Sequence, residues 1–137
     1  MAYAMSAALQ EAVYQKLLSH PGVAALVGSA IYDAVPTGTV PETYVSLGPE
    51  DVRDRSDATG HGADHRFVVS VVSAQSGFDR AKRIAAEIGA ALVDGDLALS
   101  RGRTVGVWFE RATARRTGRA GRTRRIDLRF RARAEDN

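Results

Sequence analysis

The side chains best suited to chemistry lie in one short stretch, His61-Gly62-Ala63-Asp64-His65, with Asp57 just before it. Two imidazoles four residues apart, with carboxylates nearby, are a donor set that zinc accepts when a helix presents both rings on one face. Gly60 and Gly62 oppose a helix there, so the segment reads as a solvated polar loop rather than a metal site. His20, directly before Pro21, reads as a helix-end residue facing free carbonyls. The glycines of Thr117-Gly118-Arg119-Ala120-Gly121-Arg122 superficially suggest phosphate binding. No Gly-Lys-Ser/Thr follows them and they lead into a strand, so they read as a turn. There is no Gly-x-Ser-x-Gly elbow, and the carboxylate pairs Asp51/Asp54 and Asp94/Asp96 fall in loop-like surface segments. With no cysteine, thiolate zinc sites, cysteine nucleophiles and disulfides are excluded. The expectation is a protein without cofactor, metal site or catalytic centre.

The stronger chemical signal is charge. Residues 101–137 hold twelve arginines and four acids, whereas residues 1–100 hold seven basic residues and twelve acids. From Arg124 to Arg133, Ile126, Leu128, Phe130 and Ala132 alternate with Arg125, Asp127, Arg129, Arg131 and Arg133. That period of two describes a strand with one face in a core and the other a row of guanidinium groups. Such a row meets another subunit, a nucleic acid or water. Trp108 reads as core or sheet packing rather than a platform for bases. Phe130 lies on the face opposite the arginines, which counts against base stacking, while contact of Arg125, Arg129, Arg131 and Arg133 with a phosphate backbone stays open.

These residues must be positioned by regular elements. Leu9, Val13 and Leu17 mark a helix over 6–19 with Ser6 as N-cap, ended by Pro21-Gly22. A short second helical turn holds Val23, Leu26 and Val27 and stops at Gly28; Ile31-Tyr32 is extended, and Pro36, Gly38 and Pro41 impose a loop. Thr43–Leu47 alternates as a strand, residues 50–64 form a long polar loop, and Arg66–Ser73 is the clearest strand. Ser76 is the N-cap expected for a helix striped by Phe78, Ala81, Ile84, Ala85, Ile88 and Leu92, with Asp79 in its first turn and Gly95 as its stop. Thr104–Arg111 and the arginine strand close the chain as a hairpin, spanning about 103–133. The order predicts an α+β fold: an antiparallel or mixed sheet of about four strands, with two main helices packed on one face.

A chain of 137 residues, 45% apolar, is sized for a single domain, 1–137, with its own core. No apolar run reaches the roughly 18–20 residues of a membrane helix, and the first residues lack a basic region leading into an apolar one. A pI near 9.7 suits nucleic-acid binding, but seventeen arginines against two lysines, with abundant Ala and Gly, are equally expected of a GC-rich genome.

Taken together, the helix ending in Leu17-Leu18-Ser19, the segment Val23-Ala24-Ala25-Leu26-Val27-Gly28 followed by Ala30-Ile31-Tyr32, and Pro41-Glu42-Thr43-Tyr44-Val45 carry a resemblance. With the Phe67–Val72 strand, the helix opening at Phe78-Asp79-Arg80-Ala81 and two closing strands, the layout resembles the tail-terminator or tail-completion proteins of long-tailed bacteriophages and gene transfer agents. The resemblance implies a virion protein assembled in a bacterial host cytoplasm: a hexameric ring that caps the tail tube at its head-proximal end. It also implies a tail tube protein and a head-tail connector or stopper as partners, with DNA passing through the channel without sequence-specific binding, no membrane and no enzyme activity. On that reading Arg125, Arg129, Arg131 and Arg133, with Asp51, Arg53, Asp54 and Arg55 of the polar segment, are the residues expected at a subunit or partner interface. The alternative is a small basic nucleic-acid-binding module using the arginine strand.

Overall fold

Apolar spacing sets the first helix. In the computed structural model, which describes residues 2–57, 60–93 and 96–136, Leu9, Val13 and Leu17 lie on the buried face of α1 (Ser6–Ser19), beneath a 3-10 turn at Ala2–Met5. Ser6 is not the cap. Met5 holds that position without a side-chain hydrogen bond, and Ser6 Oγ instead donates to Glu50 Oε1 at 2.6 Å. Pro21 opens α2 (Pro21–Val27), where a residue lacking an N–H costs nothing. Gly28, at φ 58°, ends α2.

Five strands follow rather than about four. β1 (Ile31–Tyr32) pairs in parallel with β2 (Thr43–Asp54); β3 (His61–Ser73), β4 (Arg103–Thr117) and β5 (Thr123–Asp136) complete a mixed sheet in the order β1-β2-β3-β5-β4. β1 is two residues long, too short for periodicity to reveal its pairing. Between β3 and β4 runs α3 (Asp79–Val93). Its first hydrogen bond runs from Lys82 N–H to Phe78 O, so Ser76 stands two residues ahead of the cap, while Asp79 does sit in the first turn, paired with Arg83. The expected stop at Gly95 lies outside the described residues.

The polar loop expected over 50–64 is mostly strand. β2 continues to Asp54 and β3 begins at His61, with Asp51 opposite Arg66 and Arg53 opposite Asp64. Polar composition concealed these strands because their ladder is held by backbone hydrogen bonds and cross-strand charge rather than by apolar alternation. A register shift between Leu47 and Glu50 rotates the strand by one position. Leu47 and Glu50 therefore share the helix side, and Glu50 there accepts hydrogen bonds from Tyr3 and Ser6.

Helices cover one face only. Leu9, Val13 and Leu17 of α1 and Ile84, Ile88 and Leu92 of α3 meet Val45, Leu47, Val69, Val71, Ile126, Leu128, Phe130 and Ala132 in one core. Phe130 is fully buried, with ring centroids 5.7 Å from Phe67 and 5.9 Å from Phe109. Burying such a ring contributes about 2–3 kcal/mol, which anchors β5 between β3 and β4 and fixes which of its faces points away from the helices.

Candidate functional site: the charged face of the sheet

Because Ile126, Leu128, Phe130 and Ala132 enter the core, Arg125, Asp127, Arg129, Arg131 and Arg133 stand on the opposite face, the expected arrangement. The guanidinium row is not bare. Three carboxylates from three strands serve as hubs, and each gathers two or more arginines.

Asp127 on β5 accepts hydrogen bonds from Ser70 Oγ at 2.6 Å, Arg125 Nε at 2.9 Å and Arg115 Nη2 at 3.2 Å. Burial works against its ionisation, but the hydrogen bonds from Ser70 and Arg125 and the charges of Arg125 and Arg115 outweigh it, holding the carboxyl below the usual carboxylate range. Glu110 on β4 accepts from Arg66 Nε at 3.1 Å and lies 3.5 Å from Arg129 Nε and 3.9 Å from Arg131 Nε. It reaches this position through a register shift between Phe109 and Arg111, an irregularity that sequence periodicity cannot reveal. Asp64 on β3, its side chain 5% exposed, accepts from Arg55 Nε at 2.9 Å and faces Arg131 Nη1 at 3.7 Å and Arg133 Nη1 at 4.0 Å. Asp64 Oδ1 makes no hydrogen bond and is held by charge alone.

The arginine stems also act as a cover. Ser70 and Val72 project to this side of β3, yet both are buried, Ser70 under Arg125 and Asp127. Trp108 is 41% exposed rather than core, with the Arg131 guanidinium 4.3 Å from its ring centroid. The core placement expected for Trp108 is thus corrected: its ring lies on the outer face of the sheet and packs against the Arg131 guanidinium.

Of the eight residues expected at an interface, Arg125, Arg129, Arg131, Arg133, Asp51, Arg53 and Arg55 lie on this face. Asp51 and Arg53 pair with each other at 3.4 Å. Asp54 falls on the other parity of β2, and its carboxylate accepts from the Ser56 hydroxyl and N–H, which hold it below the usual range. The sequence did not single out Glu110, Asp64 and Asp127 as hubs. For Asp127 the signal was present, an acid within an otherwise basic alternation; for Glu110 and Asp64 it was not, because their partners are distant in the chain.

The histidines separate. His61 is exposed and His65 is fully buried on the helix side of β3, about 13 Å further along an extended strand, too far to share a metal ion. Among the described residues no group of three His, Cys, Asp or Glu is placed to hold one. Neither ring nitrogen of His65 has a hydrogen-bond partner, and burial pushes its imidazole below the ordinary histidine range against the opposing pull of Glu50 and Asp64. His20, between α1 and α2, meets Glu87 of α3 at 3.0 Å and ties the helices together.

The turn between β4 and β5 is a 3-10 turn at Arg119–Gly121, with Gly118, Ala120 and Gly121 all at positive φ. Along β4 and this turn, the guanidinium groups of Arg111, Arg116, Arg119 and Arg122 are exposed and make no hydrogen bond or ion pair with the described residues. The sheet's charge thus divides into an internally compensated field and an uncompensated rim.

Known proteins share this architecture. No curated protein matches the sequence. A chain in the solved structure of the virion of a native gene transfer agent particle is 59% identical, with a TM-score of 0.92 over 98% of this chain and 99% of that one. The family described as tail completion protein gp17 matches residues 11–135. The helix-backed sheet and nearly the whole sequence are shared with known proteins: the chain belongs to the tail completion protein gp17 family, structural proteins of the virion tail.

Proposed function

We propose that the protein closes the head-proximal end of the tail tube as a ring, hexameric like the sixfold tube beneath it, and joins the tail to the head connector around a channel through which DNA passes. The observation that carries this reading is the near full-length similarity to a chain of a gene transfer agent virion, together with family membership over residues 11–135. The charge layout supports it. A ring needs two different, mutually complementary patches on each subunit, and this chain concentrates uncompensated positive charge along β4 and its turn while acids predominate elsewhere. Pairing of Arg125, Arg131 and Arg133 with Asp127, Glu110 and Asp64 favours a structural role for that row over phosphate neutralisation. Native mass spectrometry over a range of protein concentrations, with and without a short DNA duplex, tests the proposal. A closed sixfold species independent of DNA is the expected result. A monomer that binds duplex with steep salt dependence would replace the ring with a nucleic-acid module.

A further inference from the structure

The two edges of the sheet are unlike. At one edge stands β4, fifteen residues long and hydrogen-bonded to a neighbour, β5, on one side only. A long free edge exposes a row of backbone donors and acceptors that another chain can engage. This edge also carries Val105, Trp108 and Phe109, which are 48%, 41% and 52% exposed, beside the uncompensated Arg111 and Arg116. Exposed aromatics with arginines are the composition of a protein-binding surface. Phosphate binding would use the charge but leave the aromatics in water.

At the opposite edge, β1 and β2 are joined by residues 33–42, every one of them exposed, among them Val35 at 39% and Val40 at 36%. No lysine or arginine occurs between Lys16 and Arg53, whereas Asp33, Glu42, Glu50 and Asp51 do. Glu11 of α1 lines the same cleft as Asp33 and adds to the negative charge there.

We propose that the β4 edge of one copy receives the 33–42 segment of the next, with Arg111 and Arg116 meeting Asp33 and Glu42 and the exposed valines covering Val105, Trp108 and Phe109. This rests on the ring reading and specifies its contact. Because the surfaces lie at opposite edges of one sheet, the contact is head-to-tail, the type that closes into rings rather than two-fold dimers.

The absence of cysteine from the chain makes the test direct. Thr37→Cys and Thr113→Cys variants are treated with a short bis-maleimide, separately, as a mixture and combined in one chain, both as purified protein and in the particles they complete. Linked dimers from the mixture and a ladder from the double variant, with neither single variant linking, are expected. Linking of Thr113→Cys alone would show two β4 edges meeting and overturn the proposal. A ring by native mass with no linking in the mixture would also overturn it while leaving the ring intact, and no ring in solution or in particles would remove both. Reversing Arg111 and Arg116 to Glu should weaken association at least about tenfold. Adding Asp33→Arg and Glu42→Arg to the same chain should restore it, and failure of restoration while the circular dichroism spectrum is unchanged would count against the pairing.

Discussion

Replacing Asp64 with Asn isolates what holds the charged face together. The side chain keeps its shape, and its amide oxygen can still accept from Arg55, but the negative charge facing Arg55, Arg131 and Arg133 is gone. A hydrogen bond to a charged group contributes about 1.5–3 kcal/mol, and removing one member of a fully buried ion pair costs about 3–5 kcal/mol. Asp64 is 5% exposed, which argues for the upper range, but its partners are 51%, 30% and 33% exposed, so water can solvate the guanidinium groups left behind. The balance is a loss of about 2 kcal/mol. For a chain of 137 residues that lowers the melting midpoint by about 6–10 °C. Urea unfolding at one fixed protein concentration, with equal m-values for both proteins, gives the difference directly, since self-association would otherwise shift the midpoint. The loss should persist in 1 M salt, because the carboxylate lies beneath its partners rather than among mobile ions. A difference under about 0.5 kcal/mol would refute the reasoning and reduce Asp64 to an ordinary surface acid.

Two further outcomes follow from buried and crowded groups. Burial holds His65 below the ordinary histidine range, so the unfolded chain binds the extra proton first as pH falls. Its contribution is therefore complete above about pH 6.5 and declines below it. Urea midpoints measured from pH 7.5 to 5.5 should show the native protein losing more stability than the His65→Leu variant, and parallel losses would contradict that assignment. At Gly106, an added Cβ would stand 2.7 Å from the Trp108 ring, so Gly106→Ala must displace that ring from Arg131. Trp108 is the sole tryptophan, so a shift in emission reports the displacement, accompanied by a loss of about 0.5–1 kcal/mol. An unchanged spectrum would show that the stack does not exist in solution.

What the sequence determined by itself were the features that repeat within one element. Leu9, Val13 and Leu17 set the buried face of α1, and the alternation from Arg125 to Arg133 assigned each residue of that stretch of β5 to a face. The layout also carried the family. Tertiary structure decided what depends on residues far apart in the chain. β1 exists as a strand only through Val45 and Ser46, fourteen residues away. The polar ends of β2 and β3 are strands because each provides the other's ladder. The arginine row, which by sequence alone met a subunit, a nucleic acid or water, is largely satisfied within the chain because Asp64 and Glu110 arrive from neighbouring strands, Glu110 by way of an irregular register. Periodicity records the geometry of one element against a core, while ion pairing depends on register between elements, and a single irregular residue is enough to change its outcome.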